Sequence, residues 1–167
     1  FGFDVEMLPI DEYGRVEPRD VAERLRPETA IVSVIYANNE IGSLNPIAEI
    51  GTICRERGIP LHTDAVQAAA HFPIDVQALN VDLLSIGAHK FYGPKGVGAL
   101  FVRDSVPFLP QQTGGSQEFG RRAGTENTPY IVGMAAAFDL AQEESLACAE
   151  NLRPLRDKII ETVLAEI

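Results

Sequence analysis

The sequence predicts an α/β protein built on a mostly parallel sheet with helices on both faces. Two patterns predict this fold. Strand-like apolar runs alternate with helix-like amphipathic segments, and the run at 30–36 is apolar on both faces, which is typical of a buried parallel strand. The 167 residues, 46% of them hydrophobic and 23% charged, are enough for about one domain with a core of its own.

We expect strands at 3–8, 30–36, 59–64, 81–87 and 96–102. The first alternates apolar and polar residues, whereas the second is rich in β-branched residues and is apolar on both faces. The last two are too close in sequence for a helical crossover between them. That pair is therefore expected to be antiparallel.

Two helices are expected between the early strands. Pro18 opens a short helix, and Asn45-Pro46 places a capping residue and a proline before a helix with Ile47, Ile50 and Cys54 on one face. Gly58 provides the signal that stops this second helix.

The C-terminal part of the sequence is predicted to be helical. Thr128-Pro129 begins a long helix, and a further helix is expected from about Asn151. Because proline is tolerated only in the first turn of a helix, Pro154 predicts a break or kink near 151–153.

Composition and charge exclude several classes of partner. The net charge of −10 argues against nucleic acid or an anionic membrane as the main partner. No apolar run approaches the roughly 18 residues of a membrane span. Cys54 and Cys148 are too few for a disulfide framework and show no metal-ligand spacing, so no metal and a reducing cytoplasm are expected.

Polar residues follow three successive predicted strands. Asn39 comes after the strand at 30–36, Asp64 and Gln67 follow the next strand, and His89-Lys90 follow the strand at 81–87. In open α/β sheets the ligand crevice lies beyond the carboxyl ends of the strands. These side chains are therefore expected to converge on one site.

One ligand that accounts for this set is pyridoxal phosphate. It needs a lysine amine for a Schiff base, a carboxylate to keep the pyridine nitrogen protonated, and donors for its phenolic oxygen and phosphate. Other interpretations stay open on pattern alone: Lys90 as a solvated turn residue, Asp64 as a helix cap, or a different ligand such as a nucleotide. No P-loop or dinucleotide-binding pattern supports the last of these.

Four ordered motifs resemble those of the cysteine desulfurases, pyridoxal-phosphate enzymes of the class V aminotransferase fold. The motifs are ANNEIGSLNPI (37–47), HTDAVQA (62–68), GAHKFYGPKGVGALFV (87–102) and GGSQEFGRRAGTENTPYIVGM (114–134). The resemblance implies an aspartate aminotransferase-like large domain of a pyridoxal-phosphate-dependent transferase.

The resemblance also implies a role for each site residue. Lys90 would form the Schiff base, Asp64 would pair with the pyridine nitrogen, and Gln67 would face the phenolic oxygen. Asn39 would help to hold the cofactor and substrate, and His89 would bind the phosphate.

The phosphate-binding motifs depart from the family pattern at Gly87 and at Phe119, and the second of these stands where an arginine is common. Gly87 stands where a hydroxyl side chain is usual, so its backbone N–H is expected to act as the donor. Thr125 matches a threonine that reaches the phosphate of the neighbouring subunit, which implies a homodimer with shared active sites. Arg122 is expected to support that loop.

The resemblance implies that the chain is the central part of a longer enzyme. Residues 1–150 would form the cofactor-binding core, with its N-terminal part upstream, and 151–167 would begin the helix that leads to a small C-terminal domain. The nucleophilic cysteine loop would lie downstream, so these residues alone are expected to be inactive.

The implied reaction removes sulfur from L-cysteine to give L-alanine and an enzyme persulfide. That sulfur would pass to an iron–sulfur scaffold or to a tRNA-thiolation or other acceptor protein, without direct contact with nucleic acid or membrane. A selenocysteine lyase and a non-catalytic homologue remain the alternatives.

Overall fold

The computed structural model describes residues 2–167 and contains one four-stranded sheet. Its strands are β1 (Val32–Ile35), β2 (Leu61–Asp64), β3 (Leu83–Gly87) and β4 (Gly98–Val102), in the spatial order β1-β2-β3-β4. The β1–β2 and β2–β3 pairs are parallel, and β3–β4 is antiparallel. The predicted α/β class and the antiparallel last pair are therefore confirmed.

Three helices accompany the sheet. They are α1 (Pro18–Arg24), α2 (Ile47–Glu56) and α3 (Thr128–Glu166), and short 3₁₀ turns lie at Ala68–Ala70, Ala88–Lys90 and Glu118–Gly120. As predicted, Pro18 starts the first helix and Gly58 lies just beyond the second, with a positive φ of 67° that suits glycine.

The main core lies between one face of the sheet and the first two helices. That face contributes Val34, Leu61 and Leu84, and they pack in one cluster with Val21 of α1 and Ile50 of α2. Along β1 the burial alternates, since Val32 and Val34 are buried but Ser33 is exposed. The expectation that β1 is buried on both faces is therefore wrong: its second face carries a polar residue.

The predicted strand at 3–8 is absent. Residues 2–10 have no regular secondary structure, and Phe3, Val5 and Met7 are exposed. Alternation creates an apolar face, but a strand also needs a neighbour to satisfy its backbone groups, and no described strand pairs with this segment.

Asn45 does not cap α2. Its buried side chain accepts a hydrogen bond from the Val16 N–H (2.8 Å) and donates one to the Ile35 carbonyl (2.8 Å). The residue that precedes the helix is Pro46, and no side chain caps this end. The asparagine amide instead ties the segment before α1 to the end of β1.

The predicted break near 151–153 is also wrong. Helix α3 runs continuously for 39 residues with Pro154 inside it. The proline removes one backbone hydrogen bond, but the exposed helix continues on both sides. Cys148, expected between two helices, lies within α3 and is exposed.

None of the helices in residues 2–167 combines the length and the apolar character needed to cross a membrane.

Candidate active site

The carboxyl ends of the three parallel strands bring the predicted site residues to one edge of the sheet. Ile35, Asp64 and Ser85 lie side by side in the strand register. Asn39 follows the first of these strands, and Lys90 follows the third. The structure therefore places the predicted amine, carboxylate and amide at the same edge.

A short turn with buried ends presents His89 and Lys90. Both side chains are exposed, but Ala88 before them and Phe91 after them are buried. The Phe91 ring packs edge-to-face against Phe138 of α3, with 5.5 Å between the ring centroids. Because both ends of the turn are anchored in the core, the two polar side chains are held outward at the strand end.

The imidazole of His89 lies over Gly87. A side chain built on Gly87 would place its Cβ 3.3 Å from the His89 Cε1 and 3.6 Å from a methyl of Val66. The contact with His89 is tighter than ordinary van der Waals contact, whereas the contact with Val66 is ordinary, so glycine leaves room for the imidazole beside it. The glycine substitution noted in the sequence thus has a local packing reason.

One oxygen of Asp64 shapes the turn that follows β2. Its Oδ1 accepts a hydrogen bond from the Val66 N–H (2.9 Å). This is an Asx turn, not a helix cap, because the next 3₁₀ turn begins after Gln67 without a side-chain cap. Among residues 2–167 no hydrogen bond reaches Oδ2, which leaves that oxygen available to a ligand.

Asn39 lies at the tip of a folded loop. Asn38 accepts hydrogen bonds on its Oδ1 from the N–H groups of Glu40 (2.8 Å) and Ile41 (3.1 Å), while the Asn39 side chain is exposed. The first asparagine therefore builds the turn and the second is presented. Gln67, half-buried, lies three residues beyond Asp64.

Thr125 lies on a different part of the surface loops. It is exposed, and no hydrogen bond within the described residues joins it to Asp64, Gln67 or Lys90. The Arg122 guanidinium braces its loop by donating to the Gly124 carbonyl (2.8 Å) and to the Glu118 carboxylate (3.2 Å). The expected supporting role of Arg122 is therefore visible in its contacts.

A family model described as Aminotransferase class-V matches residues 1–167. Among curated proteins, the chain is 51% identical over 163 residues to "Cysteine desulfurase IscS" of Methanosarcina thermophila, covering 98% of this chain and 40% of the relative. A protein of the same name from Clostridium botulinum is 51% identical over 166 residues, covering 99% of this chain and 42% of the relative. The chain belongs to the aminotransferase class-V family.

Solved structures agree with this family assignment. A "NIFS-LIKE PROTEIN" superposes with a TM-score of 0.94 at 38% identity, covering 98% of this chain and 46% of that one. "SspA in complex with cysteine" superposes with a TM-score of 0.80 at 44% identity, covering 83% of this chain and 40% of that one. The chain thus spans less than half the length of these class-V relatives.

The two cysteines of this class-V chain differ in environment. Cys54 is fully buried in α2, where burial, reinforced by the Asp82 carboxylate, raises the pKa of its thiol to about 11. As predicted, it is buried in the core, and its proton is held too tightly for a nucleophile. Cys148 is exposed on α3.

Sequence reasoning missed a polar row on the face opposite the main core. Ser33, His62 and Ser85 are joined by hydrogen bonds across β1, β2 and β3. From the sequence pattern alone, His62 is interpreted as an ordinary residue of the strand at 59–64. The signal that could have revealed it is its position two residues before Asp64, since alternate residues of a strand share one face.

The residues at the strand ends fit pyridoxal phosphate by the chemistry of their groups. Four groups lie along one edge of the sheet: the exposed amine of Lys90, the carboxylate of Asp64 with one oxygen free, the amide of Gln67 and the imidazole of His89. These are an imine-forming group, a partner for a ring N–H, and hydrogen-bond donors.

Proposed function

We propose that these residues form the cofactor-binding core of a pyridoxal-phosphate-dependent cysteine desulfurase. The observation that carries the proposal is the placement of Asp64 and Lys90 at the ends of neighbouring parallel strands, β2 and β3. Relatives named cysteine desulfurase, about half identical in sequence over nearly the whole chain, support the reaction assignment.

Each residue of the edge has a role in this proposal. When bound, the cofactor supplies an electron-withdrawing ring that makes the α-carbon of an amino acid acidic. Asp64 would hold the proton on the ring nitrogen through its free Oδ2, and Gln67 would donate to the phenolic oxygen. Asn39 would orient the substrate from the tip of its loop.

Lys90 and His89 complete the proposed set of site residues. The Lys90 Nζ would bond to the cofactor aldehyde and, once displaced by substrate, would carry protons to and from the α-carbon. His89 and the Gly87 backbone would face the phosphate. The buried ends of the turn, Ala88 and Phe91, would limit the movement of the amine.

The thiol that takes sulfur from L-cysteine would come from outside these residues. Cys54 is buried with a raised thiol pKa, and Cys148 is exposed within α3 and does not match the position of the family's nucleophile. Since the chain covers 40–42% of the curated relatives, the remaining length offers room for such a loop. Without it, residues 1–167 are expected to bind the cofactor but not to desulfurate L-cysteine.

The proposal extends to assembly and partners. Thr125, which shares no hydrogen bond with the strand-end residues, would serve the phosphate of a neighbouring subunit in a homodimer. The sulfur would pass to an iron–sulfur scaffold or another acceptor protein. A cytoplasmic location fits the two free cysteines.

The experiment adds pyridoxal phosphate to the chain, reduces the product with borohydride and maps the modified lysine by mass spectrometry. We expect a visible absorption band before reduction and the cofactor mass on Lys90, because an imine with this amine is the proposed attachment. The Lys90→Ala variant should lose both signals.

Lys95, which is exposed in the same connection, provides the matched control. The Lys95→Ala variant should keep the band and the modification at Lys90. If the cofactor mass falls on Lys95 or Lys158, or if Lys90→Ala retains the band, the assignment is wrong.

A further inference from the structure

Two side chains one turn apart on α3 contact the two turns that carry proposed site residues. Phe138 packs edge-to-face against Phe91, directly after Lys90, with 5.5 Å between the ring centroids. Gln142 lies four residues further along the helix and reaches the connection that follows Gln67. Because residues four apart on a helix lie on the same face, one face of α3 supports both turns.

The Gln142 amide forms three hydrogen bonds with the backbone of this connection. Its Nε2 donates to the carbonyls of Ala69 (3.0 Å) and Phe72 (3.1 Å), and its Oε1 accepts one from the Ile74 N–H (2.7 Å). Both amide hydrogens and the carbonyl oxygen are therefore used. The opposite orientation of the amide would set its oxygen against two carbonyl oxygens, so the backbone determines which way the side chain lies.

The segment that Gln142 holds is joined to Gln67 by hydrogen bonds as well as by the chain. The Ala70 N–H donates to the Gln67 carbonyl (3.4 Å), and the Ala69 N–H donates to the Ala65 carbonyl (2.9 Å). Gln67 directly precedes the 3₁₀ turn that contains these donors. It therefore stands at the start of a turn whose far side is fastened to α3.

The Lys90 turn packs on the same stretch of helix. Ala69, Ala88 and Phe91 form one buried cluster, and Ala137 of α3 packs against it. The two turns meet in this cluster, since Ala69 belongs to the first and the other two residues to the second. Apolar packing is non-directional, whereas hydrogen bonds need a defined geometry. The amide bonds are therefore the contacts that fix the direction of the first turn.

We propose that Gln142 is a positioning residue, whose amide holds the turn that begins at Gln67 in a fixed relation to the Lys90 turn. The Gln67 amide would thereby stay aligned with a cofactor bound at Lys90. This inference rests on the proposed roles of Gln67 and Lys90. Gln142 acts through the backbone of residues 69–74 and not by contact with the cofactor.

The first test needs no cofactor. Backbone ¹⁵N relaxation of the labelled chain gives an order parameter for Gln67, and we expect about 0.85, the value of a rigid backbone. The Gln142→Met variant has a side chain of similar size without the amide, and it should lower this order parameter to about 0.6 or less. The order parameter of Phe91 should stay unchanged, because its contact with Phe138 is retained.

Two further variants make this result specific. Gln142→Glu keeps an acceptor for the Ile74 N–H but loses both donated bonds, so the order parameter of Gln67 should fall here too. Glu143→Met, at the neighbouring exposed position, is the matched control and should change neither Gln67 nor Phe91. A rigid Gln67 in both Gln142 variants would overturn the proposal. So would an equal fall at Gln67 and Phe91, since the amide would then only stabilise the chain as a whole.

The second test measures pyridoxal phosphate binding by absorbance titration. Gln67→Ala should weaken binding about tenfold, because it removes a hydrogen bond to a charged oxygen, and Gln142→Met should weaken it about fivefold. If Gln142 acts through Gln67, the double variant should bind no more than about twofold more weakly than Gln67→Ala alone. Losses that multiply to about fiftyfold would show that the two residues act independently, and the positioning role would be refuted.

The unsubstituted chain separates this inference from the proposed function. If it forms no absorption band with pyridoxal phosphate, the proposed function fails, whereas relaxation of the cofactor-free chain still tests whether Gln142 holds Gln67. If the band forms but Gln67 stays rigid in both Gln142 variants, the proposed function stands and the positioning role fails.

Discussion

Two regions proposed to hold the cofactor are built in opposite ways. The turn Ala88–Phe91 is fastened at both ends into the core, and its exposed residues lie between buried ones. The loop 114–125 has no buried side chain and is held by polar contacts of Arg122 and Gln117. The turn that carries Lys90 is thus fixed by packing within the chain, whereas the loop that carries Thr125 is held by polar contacts, which fits the proposal that a second subunit completes it.

Two consecutive residues of the loop emphasise this contrast. Glu118 and Phe119 both have left-handed backbones, with φ of 51° and 57°, and the Phe119 side chain is fully exposed. Non-glycine residues reach this region at a cost. The first region is stabilised by burial, and the second carries backbone strain without burial.

The largest expected effect comes from removing the anchor of the turn. Phe91→Ala should lower the free energy of unfolding by about 3–5 kcal/mol, because it deletes a buried aromatic ring that contacts Phe138. Chemical denaturation measures this change. In the loop, Phe119→Ala should change stability by less than about 0.5 kcal/mol. Similar losses for both variants would remove the distinction between the regions.

An intermediate effect should appear as a pH dependence of the core beneath the strands. Cys54 has a thiol pKa near 11 when folded, against an ordinary value of 9.0. Between these values the unfolded chain releases the thiol proton and the folded chain keeps it. Stability should therefore fall as the pH rises from about 9 to about 11, by roughly 2–3 kcal/mol from this group.

Denaturation curves across that pH range check the thiol contribution by difference. Cys54→Ala should show a shallower decline than the unsubstituted chain, and Cys148→Ala, at an exposed site, should retain the full decline. Parallel curves for all three proteins would show that the buried thiol is not the source.

The smallest expected effect tests the strain in the loop. Phe119→Asn should raise the free energy of unfolding by about 0.5 kcal/mol, because asparagine tolerates the left-handed region better than phenylalanine and no packing is lost. Thermal melts of the Phe119→Asn and Phe119→Ala variants provide the comparison, because alanine keeps the cost of the left-handed backbone. A loss of stability in the asparagine variant would mean that the ring has a contact partner.

The sequence predicted the sheet from residue 30 onward because the required information is local. Apolar runs and helix stop signals predict where the strands lie, and the short spacing between β3 and β4 predicts that this pair is antiparallel. For the same reason the sequence places Asp64 and Lys90 at the strand ends, because the apolar runs stop there.

Three of the failures share a different cause, because they depend on contacts distant in sequence. The segment 3–8 alternates like a strand, but no strand within residues 2–167 pairs with it. Asn45 has the residue type of a helix cap, but its side-chain amide forms hydrogen bonds with Val16 and Ile35 instead. The hydrogen bonds of His62 join it to serines 29 and 23 residues away in sequence. The sequence pattern alone predicts none of these contacts.

The most direct test of the central claim is a high-resolution structure of the chain after addition of pyridoxal phosphate. The account predicts continuous density from the cofactor to the Lys90 Nζ, with the ring nitrogen within hydrogen-bond distance of an Asp64 oxygen. Density joined to another lysine, or a ring nitrogen facing away from Asp64, would contradict it.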